Sequence, residues 1–154
     1  VHSKQLLPIY GKPMIYYPLS VLMQAGITEN LVISAPEHLD SYRALLGDGE
    51  RLGVSLAYTV QRKPGGIAEA LVIGGPFADG WRGSAWFDTG THDSLREAAM
   101  FVQVLEKRQG IRISCLEEVA YRMGYIDREQ LALLGKELSP SSGYGQYVME
   151  PASA

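Results

Sequence analysis

Lys4 and Gln5 stand at the head of SKQLLPIYGKPMIYYPL, residues 3–19, an apolar and aromatic run punctuated by Pro8, Pro13 and Pro18. A lysine at the lip of a stretch destined for burial needs an anion, because a desolvated ammonium without one is costly. A neighbouring glutamine and a proline-fixed loop ahead of a strand-and-helix series suit a phosphate-binding edge of an open α/β sheet. A lysine that merely snorkels from a loop is the other reading of the same spacing. A second segment, QRKPGGIAEA at 61–70, puts glycines where a strand gives way to a helix. Backbone amides there can approach a ligand without a side chain in the way, and the Gln61 amide, donor and acceptor at once, could read the edge of a base. An ordinary crossover turn fits these residues equally well. In the third, AWFDTGTHDSL at 85–95, Asp88 falls between a strand pattern and a Thr-Gly-Thr turn. Its carboxylate would stand at a strand end, where a hard cation could bridge it to phosphate oxygens, or it would cap its own turn. His92 reads as a polar residue of a first helical turn, and no Ser-His-Asp set is present.

The elements that must position these residues alternate. Residues 13–25 carry a helical pattern with Pro13 at its start and Gly26 at its end. NLVISA, 30–35, is a short continuous apolar run of the kind covered on both faces. Residues 38–46 place Leu39, Tyr42, Leu45 and Leu46 on one helical side. VSLAYTV, 54–60, alternates and is rich in β-branched and aromatic residues, and 65–75 continue as a short apolar helix. Helix, strand, helix, strand, helix implies a parallel sheet with crossover helices. SAWFDTG, 84–90, reads as a further strand of that sheet. Thr91 and Asp93 offer caps for a long helix through Leu95, Ala98, Val102 and Leu105 to Arg108, and shorter helices follow at 116–123 and 127–134. The Ser-, Gly- and Pro-rich tail 139–154 is expected to be irregular.

Composition narrows the classes. A chain of 154 residues with 46% hydrophobic content has the means for one domain-sized core. Charges of both signs are interspersed around a net −3, with no basic stripe, which argues against a nucleic-acid partner. Cys115 is the single cysteine, so no internal disulfide or paired-cysteine metal site exists in this sequence, in keeping with a reducing, cytoplasmic setting. No apolar run reaches membrane-spanning length, and the first residues lack a secretory pattern, so no membrane association is expected.

Taken together, SKQLLPIYGKPMIYYPLSVLMQAGI, LLGDG with GVSLAYTVQRKPGGIAEALVIG, and AWFDTGTHDSLREAAMFVQVLEKRQGIRISCLEEVAYRMGYID closely resemble the glucose-1-phosphate thymidylyltransferase family of sugar nucleotidyltransferases, over nearly the whole chain. The resemblance implies an α/β, Rossmann-like nucleotidyltransferase fold with a mainly parallel sheet and a helical C-terminal part. Residues 1–80 would form the N-terminal part of the nucleotide-binding core, and 81–154 its last strand plus the helical region. It implies that glucose 1-phosphate attacks the α-phosphorus of dTTP in line, giving dTDP-glucose and pyrophosphate with Mg²⁺ present. By the same resemblance Lys4 neutralises the nucleotide's phosphates beside Gln5. Gln61, Pro64 and Gly66 line the thymine pocket, and Asp88 is one of two carboxylates that hold the magnesium ion. Glu118, Val119 and Arg122 match a region used for a separate regulatory nucleotide-sugar site, although Arg122 also reads as a surface helix arginine. A homo-oligomer, a tetramer by resemblance, is implied as well.

The chain departs from the family in ways that bear on activity. The resemblance begins just after the family's G-G-x-G-T-R-L loop, which wraps the triphosphate. PFADG, ending at Gly80, runs almost directly into WRGSAWFDTG, so the central block carrying the other metal aspartate and the sugar-phosphate residues is missing from this sequence. Three readings stay open: stretches that the protein has and this sequence omits, which is the expected one; an internal deletion; or a deliberately trimmed chain. Gly11 and Gly65 stand for aspartates and Glu69 for a glutamine, changes expected to tune the pocket. The alternative functions are a catalytically inactive nucleotide-sugar-binding or oligomerisation fragment, and a related nucleotidyltransferase of other base or sugar preference.

Overall fold

The computed structural model describes residues 3–62, 69, 72–76, 99–100, 102–104, 106–108, 112–138 and 143–153. Pro64, Gly66, Asp88, the strand expected at 84–90 and the start of the long helix lie outside the described residues.

The chain enters through a single 3-10 turn, Lys4–Leu6, and then a hairpin of two short strands, β1 (Pro8–Ile9) and β2 (Lys12–Pro13), paired antiparallel with Ile9 opposite Lys12 and Pro8 opposite Pro13. Tyr10 at φ 45° and Gly11 at φ 83° make the two-residue loop. Positive φ at both positions is the geometry that a right-twisted hairpin demands, and glycine meets it without strain. This corrects the expectation of a helix from residue 13: Pro13 is held in the hairpin, and the helix α1 spans Tyr16–Gln24. Pro18 falls in its first turn, where a missing N–H leaves no intrahelical bond unmade.

The parallel pair follows as expected. β3 (Glu29–Ser34) leads through α2 (Pro36–Leu46) to β4 (Ser55–Val60), in register from Glu29 opposite Ser55 to Ser34 opposite Val60. Pro36 sits at the start of α2, its fixed φ already helical, and Leu39, Tyr42 and Leu46 turn inward. The described residues from 72 to 76 are helical, and Gly74 lies where an added Cβ would be 3.7 Å from both Leu31 and Ile33. Leu31, Val32 and Ile33 are nonetheless only partly buried, so among the described residues β3 is not the fully covered strand its apolar run suggested.

Described residues between 99 and 108 are helical, as the capping pattern predicted for the end of the long helix. Helices α3 (Leu116–Arg122) and α4 (Arg128–Glu137) also stand where their patterns put them, and the Asp127 carboxylate caps α4 by accepting from the Gln130 N–H at 2.8 Å. The tail is a correction. Rather than being irregular it folds into α5 (Gly143–Ser153), because Tyr144, Tyr147 and Val148 share one helical face and Val148 is wholly buried against the core. Tertiary packing here overrides a weak local propensity. One core then joins both ends of the chain: Leu19 and Met23 of α1, Leu52, Val54 and Leu56 meet Leu116, Val119, Ala120, Ile126, Leu131, Leu134 and Val148.

Asn30 is the odd member of this interior. It is paired in register with Leu56, is 5% exposed, and among the described residues neither its Nδ2 nor its Oδ1 has a hydrogen-bond partner. A buried amide left without partners keeps its desolvation penalty, so Asn30→Leu is expected to raise stability by about 1–2 kcal/mol in urea unfolding.

Candidate functional site

The carboxyl end of the β3–β4 pair gathers two of the three motif segments. Ser3, just before the Lys4 turn, shares a 2.7 Å hydrogen bond with the Tyr42 hydroxyl of α2. Burial pushes the Tyr42 phenol above the ordinary range, and the side chains of Ser3 and of Ser34, the last residue of β3, pull it back. On the neighbouring strand the Gln61 N–H donates to the Ser34 carbonyl at 2.9 Å, one residue past the end of β4. Gln61 is therefore bonded to Ser34 directly, and the turn bearing Lys4 and Gln5 is bonded through Ser3 to Tyr42, which lies beside the same serine. In an open parallel sheet this end of the strands is where ligands bind.

Each side chain has a definite setting. Lys4 is exposed. Gln5 is partly buried, and its carbonyl accepts from the Ile15 N–H at 2.9 Å. Gln61 donates from Nε2 to the Glu69 carboxylate at 2.8 Å. Glu69, the residue that departs from the family's glutamine, thus supplies an acceptor that orients the Gln61 amide. Among the described residues no group of three or more His, Cys, Asp or Glu side chains is placed to hold a metal ion.

Farther along the chain, Glu118 and Arg122 form an ion pair of 2.5 Å on α3, and Glu118 also accepts from the Tyr147 hydroxyl at 2.6 Å. Val119 points into the core at 8% exposure. Beside them Glu117 accepts from Tyr144 at 2.5 Å, and burial together with the Glu117 charge pushes the Tyr144 phenol far up, so it remains a neutral donor.

Sequence reasoning missed the most buried charge pair. Lys12, in the GKP of the opening motif, is 3% exposed, and its Nζ lies 2.6 Å from Oε1 of Glu106. Nζ also donates to the Ile113 carbonyl, and it sits 5.9 Å and 5.8 Å from the ring centres of Tyr17 and Tyr144. Arg112 donates to Oε2 of Glu106 at 2.8 Å, and the Ile113 N–H donates to Oε1 at 2.9 Å. The demand for an anion that the run places on a lysine thus falls on Lys12, and a carboxylate 94 residues away meets it. The available signal was an acid at helical spacing from Ala99 and Val102, on an otherwise apolar face.

Cys115 is not a nucleophile in this fold. It is 1% exposed, and burial, reinforced by the Glu117 charge, pushes its thiol up to about 12. Near neutral pH it stays protonated and shielded. Iodoacetamide is expected to leave Cys115 unmodified in the native protein and to alkylate it in denaturant, as read by mass spectrometry.

Among the described residues no helix is long and apolar enough to cross a membrane. A family model described as nucleotidyl transferase matches residues 1–82, which include Lys4, Gln5 and Gln61. The glucose-1-phosphate thymidylyltransferase of Neisseria meningitidis serogroup A is 30% identical over 263 positions, covering 96% of this chain and 91% of the relative. That of Mycobacterium tuberculosis is 32% identical with the same coverage. Because the aligned span of 263 positions exceeds the 154 residues of this chain, more than a hundred positions of each relative have no counterpart here. A solved structure of a Bacillus anthracis protein named for the same activity is 42% identical, covering 51% of this chain and 32% of its own, with a TM-score of 0.49.

Proposed function

We propose, from the premise that this chain belongs to the nucleotidyl transferase family, that it carries the nucleotide-binding edge of an enzyme making dTDP-glucose and pyrophosphate from dTTP and glucose 1-phosphate. The observation that carries this reading is the convergence of the Lys4–Gln5 turn and Gln61 on Tyr42 and Ser34, at the carboxyl end of a parallel pair. A nucleotide laid across that end would meet an exposed ammonium at its phosphates and an oriented side-chain amide at its base.

Transfer of a nucleotidyl group needs little covalent help from the protein and much positioning and charge neutralisation. In this reading Lys4 draws charge from the triphosphate, Gln5 supports it, and Gln61 faces the thymine with Pro64 and Gly66 lining the pocket. Glucose 1-phosphate then attacks the α-phosphorus in line. Asp88 would be one of two carboxylates that hold Mg²⁺, which would supply charge neutralisation at the phosphates. Glu118, Val119 and Arg122 are proposed to border a regulatory nucleotide-sugar site, with Glu118 and Arg122 the polar members. Residues 1–80 are proposed as the nucleotide-binding part and 81–154 as the last strand with the helical region, in a cytoplasmic homo-oligomer without nucleic-acid or membrane partners.

A second reading, a binding or oligomerisation fragment without turnover, is favoured by the positions of the relatives that have no counterpart here. Equilibrium binding of dTTP combined with a pyrophosphate assay separates the two. Binding with release supports the enzyme, binding without release supports the fragment, and no binding at all rejects the nucleotide site.

A further inference from the structure

We infer that Glu106 is a positioning residue, which holds the Lys4–Gln5 turn in place through Lys12. The turn does not stand alone. The Met14 N–H donates to the Leu7 carbonyl and the Ile15 N–H to the Gln5 carbonyl, both at 2.9 Å, beyond the register of Pro8 with Pro13 and Ile9 with Lys12. Two chain arms are thereby zipped together from Gln5 to Ile15, and Lys12 is the charged anchor of the second arm. Lys12 ends on Glu106, whose side chain is 2% exposed and whose other contacts, Arg112 and the Ile113 N–H, fix the carboxylate from a different part of the chain. The hairpin itself is only two residues wide on each side, and such a ribbon has little stability of its own. Its position is set by what grips it: Ser3 on Tyr42 ahead of the turn, the Tyr17 hydroxyl on the Ile9 carbonyl at 3.0 Å, and, at the loop end, the buried Lys12–Glu106 pair.

The consequence for nucleotide binding rests on the reading of Lys4 given above; the anchoring itself does not. Lys4 is exposed and makes its own approach to solvent, so the geometry of its ammonium depends on the arm beneath it. Loosening the arm adds an ordering cost to every nucleotide captured, and that cost appears in binding before chemistry.

The test compares the wild-type protein with Glu106→Gln and with the double variant Lys12→Met/Glu106→Gln. The one carbonyl oxygen of glutamine still accepts from either Arg112 or the Ile113 N–H, though not from both, and the double variant leaves no lysine ammonium buried alone, so it stays folded if the single variant does not. Amide hydrogen exchange is expected to speed up about tenfold or more at Leu6, Leu7, Met14 and Ile15, while the β3–β4 amides stay within about twofold. The apparent KM for dTTP should rise about tenfold with kcat within about threefold. An equal rise in exchange across β3 and β4, or none at the hairpin, overturns the anchoring. An unchanged KM in a chain whose hairpin has loosened overturns the positioning of Lys4. Should the wild type bind no dTTP, the reading of Lys4 fails by itself, and the exchange pattern still decides whether Glu106 anchors the turn.

Discussion

Gly53→Ala is expected to cost about 3–5 kcal/mol of stability, a large share of what a domain this size possesses. Gly53 closes the 3-10 turn Glu50–Leu52 at φ 67°, and a Cβ there would lie 2.3 Å from the Tyr125 carbonyl oxygen. No real contact is that short, so the turn and the segment between α3 and α4 would have to part. Leu52, Val54 and Ile126, members of the core cluster that joins α1 to the C-terminal helices, would be separated with them. Tyr125 would also be pulled from the Met23 carbonyl, to which its hydroxyl donates at 2.7 Å. Gly124→Ala is the internal control. Gly124 has a similar φ of 73° but nothing within 4 Å of its added Cβ, so it should lose only the left-handed penalty of about 1–2 kcal/mol. Urea unfolding of the two variants checks this, and equal losses would show that backbone conformation, not the Tyr125 contact, governs the site.

Lys4→Ala is expected to lower turnover of dTTP by about 10²–10³-fold, the usual cost of removing one group that stabilises developing charge. The fold should not notice, because Lys4 is exposed and its turn is held by backbone bonds and by Ser3. Asp88→Asn should depress turnover comparably. Initial rates of pyrophosphate release, set beside unchanged melting temperatures, measure both, and near-normal turnover in the pair would remove the roles assigned to these residues.

What the sequence revealed and what it hid divide along the range of the interaction. β3, α2 and β4 were legible because their apolar spacing and their Pro36 and Gly47 boundaries act within one element. α4 was legible for the same reason, with Asp127 as its cap. The hairpin was hidden because Tyr-Gly replaces the usual Asn-Gly or Asp-Gly at its loop, while Pro13 imitates a helix start. α5 was hidden because its composition favours coil; its stability comes from Val148 in the core and from Tyr144 and Tyr147 reaching Glu117 and Glu118. The Lys12–Glu106 pair was hidden for a plainer reason, since nothing local couples residues so far apart in sequence. At the candidate site, residue spacing offered a ligand-binding sheet edge for both the Lys4 segment and Gln61, and family resemblance joined them in one site; the bonds that hold them there, Ser3 to Tyr42 and Gln61 to Ser34, became visible in the fold.

The most direct measurement incubates the purified protein with dTTP, glucose 1-phosphate and Mg²⁺ and follows dTDP-glucose and pyrophosphate together. The account predicts equal amounts of the two products, lost in Lys4→Ala. A folded protein that binds dTTP and releases no pyrophosphate would contradict it and leave a nucleotide-binding fragment in its place.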